Sequence, residues 1–589
     1  MKLRPSHLSA IASGVALGVA SLAASAAEIP SLPVAGTQTG AVIRAGATLN
    51  EGASFLTEMP AGDAFDIVAS VSPRAQDVGQ TGSLVVVLEV EGVGLFNLLS
   101  GGIWVPFDDT NILPFKTKTL EATEEISVLT DFIGSDTNLT GATISAYAGY
   151  FVNGNINTIT YSSTPASVAV AQPAADTCPI NTVAAPGGAQ FRGKDVCVLS
   201  GRITADTHLT SNFSYILDGA VFIGSNTAGD GARTVLTIDP GTAVFSQVGL
   251  NFLVVDRNGQ IYANGSRENP VTFTYEDEAS ATESTTGQWG GLILNGNATV
   301  NTSALPEGEG GTGQYGGDDD SDSSGSLTFV QVLFAGQNIT EENELNGIAF
   351  QATGSGTNVD YVQVHNNSDD GVEFFGGTTN AKHLYLDGNE DDALDWTFGW
   401  NGNVQFVAVK QNTASEHCIE ADNNGDNNDA LPRANPTIAN MTCVGPETGA
   451  DAGFRLREGT SVSIWNTVMT NFESYCVDID QEATFINAGS SIAGLNGNLT
   501  MRNSLLSASC TFDEEDGDLF PVSGWYNAQT NSALGNAEVG GSSGIANGLS
   551  VNAMMPAFPS DPWFEQVPYI GAAPSDGEAF TNGWIYIND

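Results

Sequence analysis

The sequence predicts an all-β protein in which an N-terminal β-sandwich-like domain precedes a right-handed parallel β-helix. Its 589 residues include 68 glycines and only 15% are charged, a composition that favours strands and tight turns over helices. Short apolar runs alternate with Gly, Asn, Asp and Pro along most of the chain. From residue 327 onwards a β pattern recurs with spacings of 22 to 35 residues, which is typical of a β-helix and shorter than propeller blades.

The charge balance limits the classes of partner. The chain has 68 acidic and 18 basic side chains, so its formal net charge is −50. Nucleic-acid binding is excluded as a main role, because phosphate contacts need clustered Lys and Arg. The same excess opposes adsorption to an anionic membrane surface and favours divalent cations as partners. The hydrophobic share of 41% is sufficient for a large core.

Residues 1–27 have the pattern of a secretory signal peptide. Lys2 and Arg4 form a basic start, residues 8–23 are apolar and small, and small residues around Ala26 offer a cleavage site. A membrane anchor would need about 20 strongly apolar residues, and this stretch is rich in Ala, Gly and Ser. We therefore expect no transmembrane helix in the mature chain. We expect export to the exterior or outer surface of a bacterial cell, or to the periplasm.

The six cysteines predict disulfides, because their number is even and the exported chain meets an oxidising compartment. Six cysteines allow fifteen pairings, which spacing alone does not decide. Nearest-neighbour pairing is expected, since each such bond closes a loop of one or two repeats. The predicted pairs are Cys178–Cys197, Cys418–Cys443 and Cys476–Cys510.

Residues 28–170 are predicted to form the β-sandwich-like domain. Their β runs, such as AFDIVASV and ATISAYAGYFV, are separated by turn residues. Residues 82–150 resemble a small module of exported bacterial surface and pilus-associated proteins. The similarity rests on GSLVVVLEVEG, GIWVPF, LPF and YAGY. The resemblance implies an accessory role in display or attachment, and it implies no catalytic residues.

Residues 171–190, rich in Ala and Pro, are predicted to be a linker or cap entry, and residues 191–589 a parallel β-helix with long inserted loops. Each repeat has a β run, a polar turn, a small residue and an alternating strand. Equivalent positions of neighbouring coils would stack about 4.8 Å apart. The small residues that mark the repeat are Gly347, Gly371, Ala393, Cys418, Gly453 and Cys476.

The same region resembles a widespread group of exported bacterial proteins of unassigned function, often labelled hypothetical or lipoprotein. The resemblance implies a parallel β-helix on or outside the cell envelope and no established reaction. The chain departs from the lipoprotein label, since no Cys lies at the predicted cleavage site. The matching segments are GQWGGLI (287–293), YGGD (315–318), NELNG (343–347), DDGVEFFGG (369–377), YIG (569–571) and GW (583–584).

Acidic residues fall at fixed offsets from the small residue of successive repeats, two and one positions before it and two positions after it. Stacking would place like charges about 4.8 Å apart, where each pair repels by about 3–4 kcal/mol at an effective dielectric constant of 20. Oxygen ligands without cysteine select hard cations, above all Ca²⁺. The alternative is a solvated Asp-Asp-Gly turn. The predicted calcium ligands are Asp369, Asp370, Glu373, Asp391, Asp392 and Asp395.

The same columns also permit an enzymatic interpretation. Asp370, Asp392 and His417 fall in one column, and pectin-type glycoside hydrolases of this fold use aspartates from several coils. Paired carboxyl groups can protonate a glycosidic oxygen and activate water. Stacked coils can place two carboxyl groups about 5 Å or about 7–8 Å apart, so hydrolysis with retention and with inversion of the anomeric configuration are both possible. In the structural alternative, Arg455 neutralises the acidic neighbours in its own column.

Two functions follow for the exported chain. The first is a secreted or surface-exposed protein that binds calcium and a polysaccharide or other extracellular matrix material. The second is a glycan-cleaving glycoside hydrolase, and the sequence does not decide between binding protein and enzyme. The alternating aromatic residues Trp396, Phe398 and Trp400 fit either a glycan-contact face or a core stack.

Overall fold

The computed structural model describes much of the chain between residues 29 and 587. The described residues are 29, 31–36, 40–49, 55–59, 64–90, 93–100, 102–108, 112–133, 142–171, 177–226, 233–340, 343–446, 452–472, 474–535, 556–575 and 578–587. The predicted signal peptide lies outside these residues. The chain divides into two compact units, residues 1–177 and 178–589.

The first unit is almost entirely antiparallel. Its strands are β1 (Ser31–Leu32), β2 (Val34–Gly36), β3 (Val42–Thr48), β4 (Glu58–Met59), β5 (Ala64–Ser72), β6 (Thr81–Val90), β7 (Gly94–Leu99), β8 (Ile103–Pro106), β9 (Lys116–Thr119), β10 (Glu124–Ile133), β11 (Thr143–Val152), β12 (Thr160–Ser162) and β13 (Ala166–Val170). They form two sheets, in the orders β1-β3-β5-β10 and β2-β12-β11-β6-β7-β8. In the second sheet β9 pairs with β6, and β13 pairs with β11 and, in parallel, with β4.

Alternating side chains of both sheets meet in one core, as the period of a half-buried strand requires. Ile43 and Ile67 come from the first sheet, and Val86 and Ile144 from the second; all four are fully buried. The β-sandwich-like character predicted for this part of the chain is confirmed.

The second unit is a parallel β-helix with two short α-helices, α1 (Glu482–Ala488) and α2 (Val522–Asn527). None of the helices in the described residues has the length and apolar character to cross a membrane. The strands are β14 (Val183–Ala184), β15 (Gln190–Phe191), β16 (Lys194–Ile203), β17 (Thr207–Leu209), β18 (Ser214–Ile223), β19 (Thr234–Ile238), β20 (Ala243–Ser246), β21 (Phe252–Val255), β22 (Gly259–Asn264), β23 (Val271–Tyr275), β24 (Leu292–Asn295), β25 (Gly325–Leu333), β26 (Asn338–Thr340), β27 (Asn343–Glu344), β28 (Ile348–Gln351), β29 (Asn358–His365), β30 (Val372–Phe375), β31 (Asn380–Asp387), β32 (Leu394–Thr397), β33 (Asn403–Lys410), β34 (His417–Ala421), β35 (Thr437–Val444), β36 (Ala452–Leu456), β37 (Val462–Trp465), β38 (Val468–Thr470), β39 (Tyr475–Ile479), β40 (Leu499–Arg502), β41 (Leu505–Ser507) and β42 (Ala533–Gly535).

Strands one coil apart pair in parallel, which is the defining pairing of this fold. One face, here called the site sheet, consists of β24, β28, β30, β32, β34, β36 and β39. Its apolar residues point into the coil interior, where Val372 and Leu394 are stacked and fully buried. The fold class predicted from the 20–35-residue repeat is therefore confirmed.

The small residues of the repeat lie where neighbouring coils approach most closely. A Cβ atom on Gly371 would lie 2.7 Å from the carbonyl oxygen of Ala393 and 2.6 Å from Nδ2 of Asn389. The same clash is met at Gly453, whose Cβ would lie 2.6 Å from the carbonyl oxygen of Cys476. Larger side chains would push the coils apart at this corner.

A second face contains strands that bend in the middle. Each has one residue with positive φ, a conformation uncommon outside glycine, and these residues stack in consecutive coils. Tyr361 lies 4.3 Å from Phe329 and 4.2 Å from His383 between ring centroids, and Phe406 stacks next on His383 at 4.8 Å. Ring stacking offsets part of the cost of the strained backbone.

Three disulfides lie in the second unit. They join Cys178 to Cys197, Cys418 to Cys443, and Cys476 to Cys510, which are the nearest-neighbour pairs that the sequence predicts. Cys418 and Cys476 lie on the site sheet, so two of the bonds connect that sheet to other parts of the coil wall.

The C-terminal residues 556–575 and 578–587 return along the outside of the β-helix. Gln405 exchanges two hydrogen bonds with the backbone of Glu565, at 2.7 and 2.8 Å. Further back along the coils, Gln363 Nε2 donates to the carbonyl oxygen of Tyr586 at 2.9 Å. These contacts therefore join the segment to coil residues 160 to 223 positions earlier in the sequence.

Candidate functional site

The acidic residues of the predicted columns stack from coil to coil, partly in the strands of the site sheet and partly in the turns that lead into those strands. Asp370 Oδ1 accepts a hydrogen bond from the backbone N–H of Asp392 at 3.0 Å, and Asp392 Oδ1 accepts one from the backbone N–H of His417 at 2.8 Å. Each aspartate thus bonds the equivalent residue of the next coil rather than its own turn. Asp370, Asp392 and His417 form one column, as the spacing from the small residue predicts.

A second column runs parallel to the first. Glu373 pairs in register with Asp395, and further along the column Glu420 pairs with Arg455, which pairs with Asp478. The position two residues after the small residue is therefore equivalent in successive coils.

Carboxyl oxygens of the two columns, and of Glu344, Asp369 and Asp391 beside them, lie close enough to bind one ion together. In each of three groups, one carboxyl oxygen per residue lies within 4.8 Å of the others. Two of the groups share Asp391 and two share Asp370, so the groups form one continuous set. This set, here called the carboxylate cluster, consists of Glu344, Asp369, Asp370, Glu373, Asp391, Asp392 and Asp395.

Most of the carboxylate cluster is buried. Asp370 is 7% exposed and Asp392 is 3% exposed, which rules out the alternative of a solvated turn. Burial raises the pKa of Asp370, Glu373, Asp392 and Asp395 well above the usual carboxyl range, and the negative neighbours raise it further. A proton or a cation is therefore needed to keep these groups in place.

Among the described residues, arginine side chains form ion pairs with the columns at one end only. Arg457 binds Asp422, with Nε 3.0 Å from Oδ1, and its Nη2 donates to Glu420. Arg455 lies in its column as predicted, 3.9 Å from Glu420 and 3.6 Å from Asp480. Burial raises the pKa of Glu420 to about 8 even beside these two arginines.

His417 closes the first column. Its Nδ1 lies 2.6 Å from Asp392 Oδ1, and the side chain is 3% exposed. Burial lowers the pKa of His417 below its ordinary value, so the ring is neutral near pH 7. A neutral ring donates one hydrogen bond from Nδ1 to Asp392, which fixes the orientation of both groups.

Two acidic residues belong to this site although the spacing argument does not reach them. Glu344 forms a group with Asp369 and Asp391. Glu309 comes from the acidic insertion after β24, which folds onto the coil; burial and the neighbouring Glu344 raise the pKa of Glu309 to about 7. The position of Glu344, three residues before the small Gly347, is the one sequence signal that marks it.

The aromatic residues near the acidic columns belong to the core. Trp396 and Trp400 are fully buried, with ring centroids 5.7 Å apart, and Trp400 also stacks on Phe374 at 4.1 Å. Their indole N–H groups bond Thr460 and the backbone of Thr379 inside the coil. Of the two interpretations of this alternation, the core stack is the right one for both tryptophans.

The chain matches the family described as pectate-lyase-like beta helix domain over residues 201–548, and it belongs to that family. A comparison with curated protein sequences gives no match.

Two solved structures are similar at low sequence identity. The catalytic unit of a thermostable GH87 alpha-1,3-glucanase from Streptomyces thermodiastaticus strain HF3-3 is 11% identical, with 87% of this chain and 98% of that chain covered and a TM-score of 0.21. A GH87 alpha-1,3-glucanase catalytic domain in complex with tetrasaccharides is 10% identical, with 83% and 99% covered and a TM-score of 0.16. Such scores support no inference about the site.

Proposed function

We propose that the protein is an exported glycan-binding β-helix protein whose carboxylate cluster holds a divalent cation, calcium by the chemistry of its ligands. The observation that supports this most directly is the group of Asp370, Glu373 and Asp395. All three side chains are buried, and their oxygens lie within 4.8 Å of one another.

Electrostatics makes this group unfavourable without a counter-charge. Two charges 4.8 Å apart repel by about 3–4 kcal/mol at an effective dielectric constant of 20, so three ionised groups repel by about 10 kcal/mol in total. Within the described part of the chain, no Lys or Arg forms an ion pair with Asp370, Glu373 or Asp395. Only protons or a cation can supply the missing positive charge.

The ligand atoms fit calcium. Carboxylate and amide oxygens suit hard cations, and Ca²⁺ accepts six to eight of them in flexible geometry. Asn346 Nδ2 donates to Glu373 Oε2 at 2.6 Å, while its buried Oδ1 has no partner, so an amide oxygen is left over beside the cluster. Asp370, Glu373 and Asp395 would hold the ion, which would supply positive charge beneath a glycan-binding surface.

A more open group lies beside the buried one. Glu344 and Asp391 are half-buried, whereas Asp369 is buried. A cation at this group would keep access to solvent and to the oxygens of a bound glycan. The glycan part of the proposal is supported by membership of the pectate-lyase-like family and by the predicted export of the chain.

Metal analysis of the purified mature protein, followed by calorimetric titration with calcium, tests the proposal. Asp370→Asn and Glu373→Gln should each weaken calcium binding at least tenfold, since even outer-shell partners of a metal contribute about 10–100-fold. Asp318→Asn, at an exposed carboxylate of the insertion, is the matched control and should bind like the wild type. Stoichiometric calcium binding that survives both cluster substitutions would place the ion elsewhere.

Binding of a polysaccharide panel, with calcium and with chelator, tests the glycan part. Glycan retention that depends on calcium is the expected result. A chain that binds calcium and retains none of the polysaccharides would be a metal-stabilised structural protein instead.

Glycoside hydrolysis is the second candidate, and the contact between Asp392 and His417 favours it. Asp392 shares a group with Asp370 and Asp391, so one carboxyl can hold a proton while a neighbour is ionised. Asp392 would protonate the glycosidic oxygen, an ionised neighbour would accept a proton from water, and His417 would hold Asp392 in position. Asp392→Asn should then lower the turnover number at least a thousandfold while glycan binding remains. If the wild type releases no new reducing ends from any polysaccharide, this candidate is excluded.

A further inference from the structure

Side-chain amides of the β-helix hold residues 556–575 and 578–587, here called the C-terminal segment, by the backbone. Gln363 Oε1 accepts from the N–H of Tyr586 at 2.7 Å, and Gln363 Nε2 donates to the carbonyl oxygen of the same residue at 2.9 Å. Gln405 makes the same pair of bonds with Glu565. The amides lie on five different coils and are here called the amide row. Its members are Gln331, Gln363, Gln405, Asn440 and Asn466.

The amide row is buried and recognises peptide backbone. Asn466 also makes a pair of bonds, accepting from the N–H of Ala557 at 3.0 Å and donating to its carbonyl oxygen at 2.8 Å. All five amide side chains are at most 6% exposed. Two facing residues of an antiparallel ladder exchange the same two bonds. The C-terminal segment forms no strand in its described residues, so the amides replace a neighbouring strand as its partner.

Aromatic contacts add selectivity for the side chains of this segment. The ring centroid of Trp584 lies 5.6 Å from that of Phe329, and the ring centroid of Tyr586 lies 5.6 Å from that of Phe334. Trp584 is 3% exposed. In peptide recognition, main-chain bonds give affinity and side-chain pockets give specificity. The two rings therefore favour the C-terminal sequence of this chain over an arbitrary peptide.

Charge complementarity favours the same sequence. Residues 556–589 contain five acidic residues and no Lys or Arg. On the coil, Lys382 Nζ lies 2.7 Å from Glu565 Oε1 and 4.8 Å from the ring centroid of Trp563. Arg267 donates to the carbonyl oxygen of Phe580 at 3.3 Å. Two of the few basic side chains of this acidic protein thus face an acidic peptide.

The connection to the C-terminal segment is longer than its position requires. Residues 536–555 follow β42, and twenty residues can span up to about 66–72 Å. Asn466, which holds Ala557, lies beside β38, two coils before β42 and about 10 Å from it along the coil axis. The same connection is therefore long enough to reach the amide row of another molecule.

We propose that the amide row is a peptide-binding site that takes the C-terminal segment of a second copy of this chain as well as its own. Exchange of an identical segment between copies needs no contact that a single copy lacks. In the intact chain the connection favours the chain's own segment, so exchange requires chain concentrations near the effective concentration, about millimolar for short flexible linkers. The proposal depends on neither the calcium nor the glycan part of the proposed function.

Exchange between two copies can be measured directly. A site-specific protease sequence is inserted between Gly541 and Ser542 of the full mature chain, and the folded protein is cut once there. Cut ¹⁴N and ¹⁵N chains are mixed in equal amounts, warmed to a few degrees below the melting temperature of the second unit, and analysed by native mass spectrometry. We expect hybrid complexes, in which a heavy β-helix holds a light C-terminal segment, to become as frequent as the parental complexes.

Substitutions in the segment test specificity without changing the β-helix. A synthetic peptide of residues 556–589 should displace the cut segment. A peptide with Trp584→Ala should need a concentration at least about tenfold higher, because buried aromatic anchors contribute much of the binding energy. Ser560→Ala, at an exposed position, is the matched control and should displace the segment like the unchanged peptide.

A substitution in the amide row tests the backbone contacts. Gln405→Met keeps a similar length and removes both bonds to Glu565, so the cut variant should release its segment at a concentration at least about tenfold higher than the cut wild type. Gln247→Met, at an exposed amide elsewhere on the β-helix, should behave like the wild type. Release of the segment from the wild type on cutting, without rebinding, would overturn the proposal. Complexes that survive warming and form no hybrids would overturn it as well.

Discussion

Asp77 in the first unit and Asp370 in the second are both buried aspartates, 1% and 7% exposed, but their neighbours carry opposite charges. Asp77 accepts two hydrogen bonds from Arg74, at 2.8 and 2.9 Å, and one from Tyr150 Oη at 2.8 Å. These contacts, led by Arg74, lower the pKa of Asp77. Asp370 is surrounded by other carboxyl groups, and burial first and their charges second raise its pKa.

The difference separates a carboxylate that stabilises the fold from one that costs stability. Asp77 meets a cation and a hydroxyl from its own chain, so its ionised form is favoured in the folded state. Among the described residues around Asp370, the chain gathers several acids, and Asp370, Glu373 and Asp395 form no ion pair with a Lys or Arg. Uncompensated buried groups of this kind concentrate at functional sites, which is why the carboxylate cluster and not Asp77 is the candidate.

The largest expected effect is the pH dependence of stability without calcium. Cluster carboxyls with raised folded pKa values keep protons that the unfolded chain loses near pH 4, so the second unit loses stability as pH rises above that value. Each such proton changes the free energy of unfolding by about 1.4 kcal/mol per pH unit. Two retained protons give a loss of about 5 kcal/mol between pH 5 and pH 7.

Tryptophan fluorescence can follow that change in one unit. Seven of the eight tryptophans lie in the second unit, and the first contains only Trp104. A Trp104→Phe variant, unfolded in urea with chelator at several pH values, therefore reports the second unit alone. Stability that rises between pH 5 and pH 7 would contradict the raised pKa values. Asp77, with its lowered pKa, predicts the opposite sign for the first unit: stability lost as pH falls below about 4.

The next effect compares the same substitution in the two units. Asp370→Asn keeps an oxygen to accept the Asp392 N–H and removes the need for a proton. It should therefore stabilise the chelated second unit at pH 6 by about 3 kcal/mol. Asp77→Asn removes the charge that Arg74 binds and should lower the stability of the first unit. Chemical unfolding of both variants measures the sign of each change in the free energy of unfolding. A change of the same sign in both would show that the two aspartates do not differ in their effect on stability.

The stacked residues of the second unit show how much of the candidate site could be predicted from the sequence. Counting from Gly371, Ala393 and Cys418 was enough to stack Asp370 on Asp392 and Glu373 on Asp395, because parallel pairing keeps equivalent positions in register. Burial of the cluster was not predictable from spacing. It depends in part on two separate segments: the insertion after β24, which brings Glu309 to the site, and the β26–β27 hairpin, which brings Glu344. Neither segment has a repeat partner in the next coil to fix its position.

The cleft that His365, Gln411 and residues 585–587 line was beyond sequence reasoning for a similar reason. His365 and Gln411 lie at strand ends of different coils, and residues 585–587, which also line the cleft, lie more than 170 residues later in the sequence. No periodic pattern connects these positions. The core role of Trp396 and Trp400 likewise stayed open, because alternation in a β-helix shows which residues share a face and not which face is inside.

Calcium should offset part of the stability that the second unit loses through its uncompensated carboxyl groups. At a concentration 100 times the dissociation constant it should stabilise the second unit by about 2.7 kcal/mol and leave the first unit unchanged. Scanning calorimetry at pH 7.5 with calcium and with chelator checks this, and Asp318→Asn should respond like the wild type. Coincident traces for the second unit at low salt would remove calcium from the proposed function.

The smallest effect concerns the hydroxyl that completes the Asp77 site. Tyr150→Phe removes the hydrogen bond to the ionised Asp77, which contributes about 1.5–3 kcal/mol, together with the 3.2 Å bond that Tyr150 Oη accepts from the Arg74 N–H, and it leaves the ring in the core. The loss should appear in the first unit only, and it should grow smaller as pH falls through the lowered pKa of Asp77, where the carboxylate takes up a proton and its charge disappears. Urea unfolding of the wild type and the variant, followed by circular dichroism at pH 7 and pH 2, measures both quantities. An equal loss at the two pH values would mean that Tyr150 stabilises the sandwich through its position rather than through the charge of Asp77, and the two buried aspartates would then differ less than their surroundings indicate.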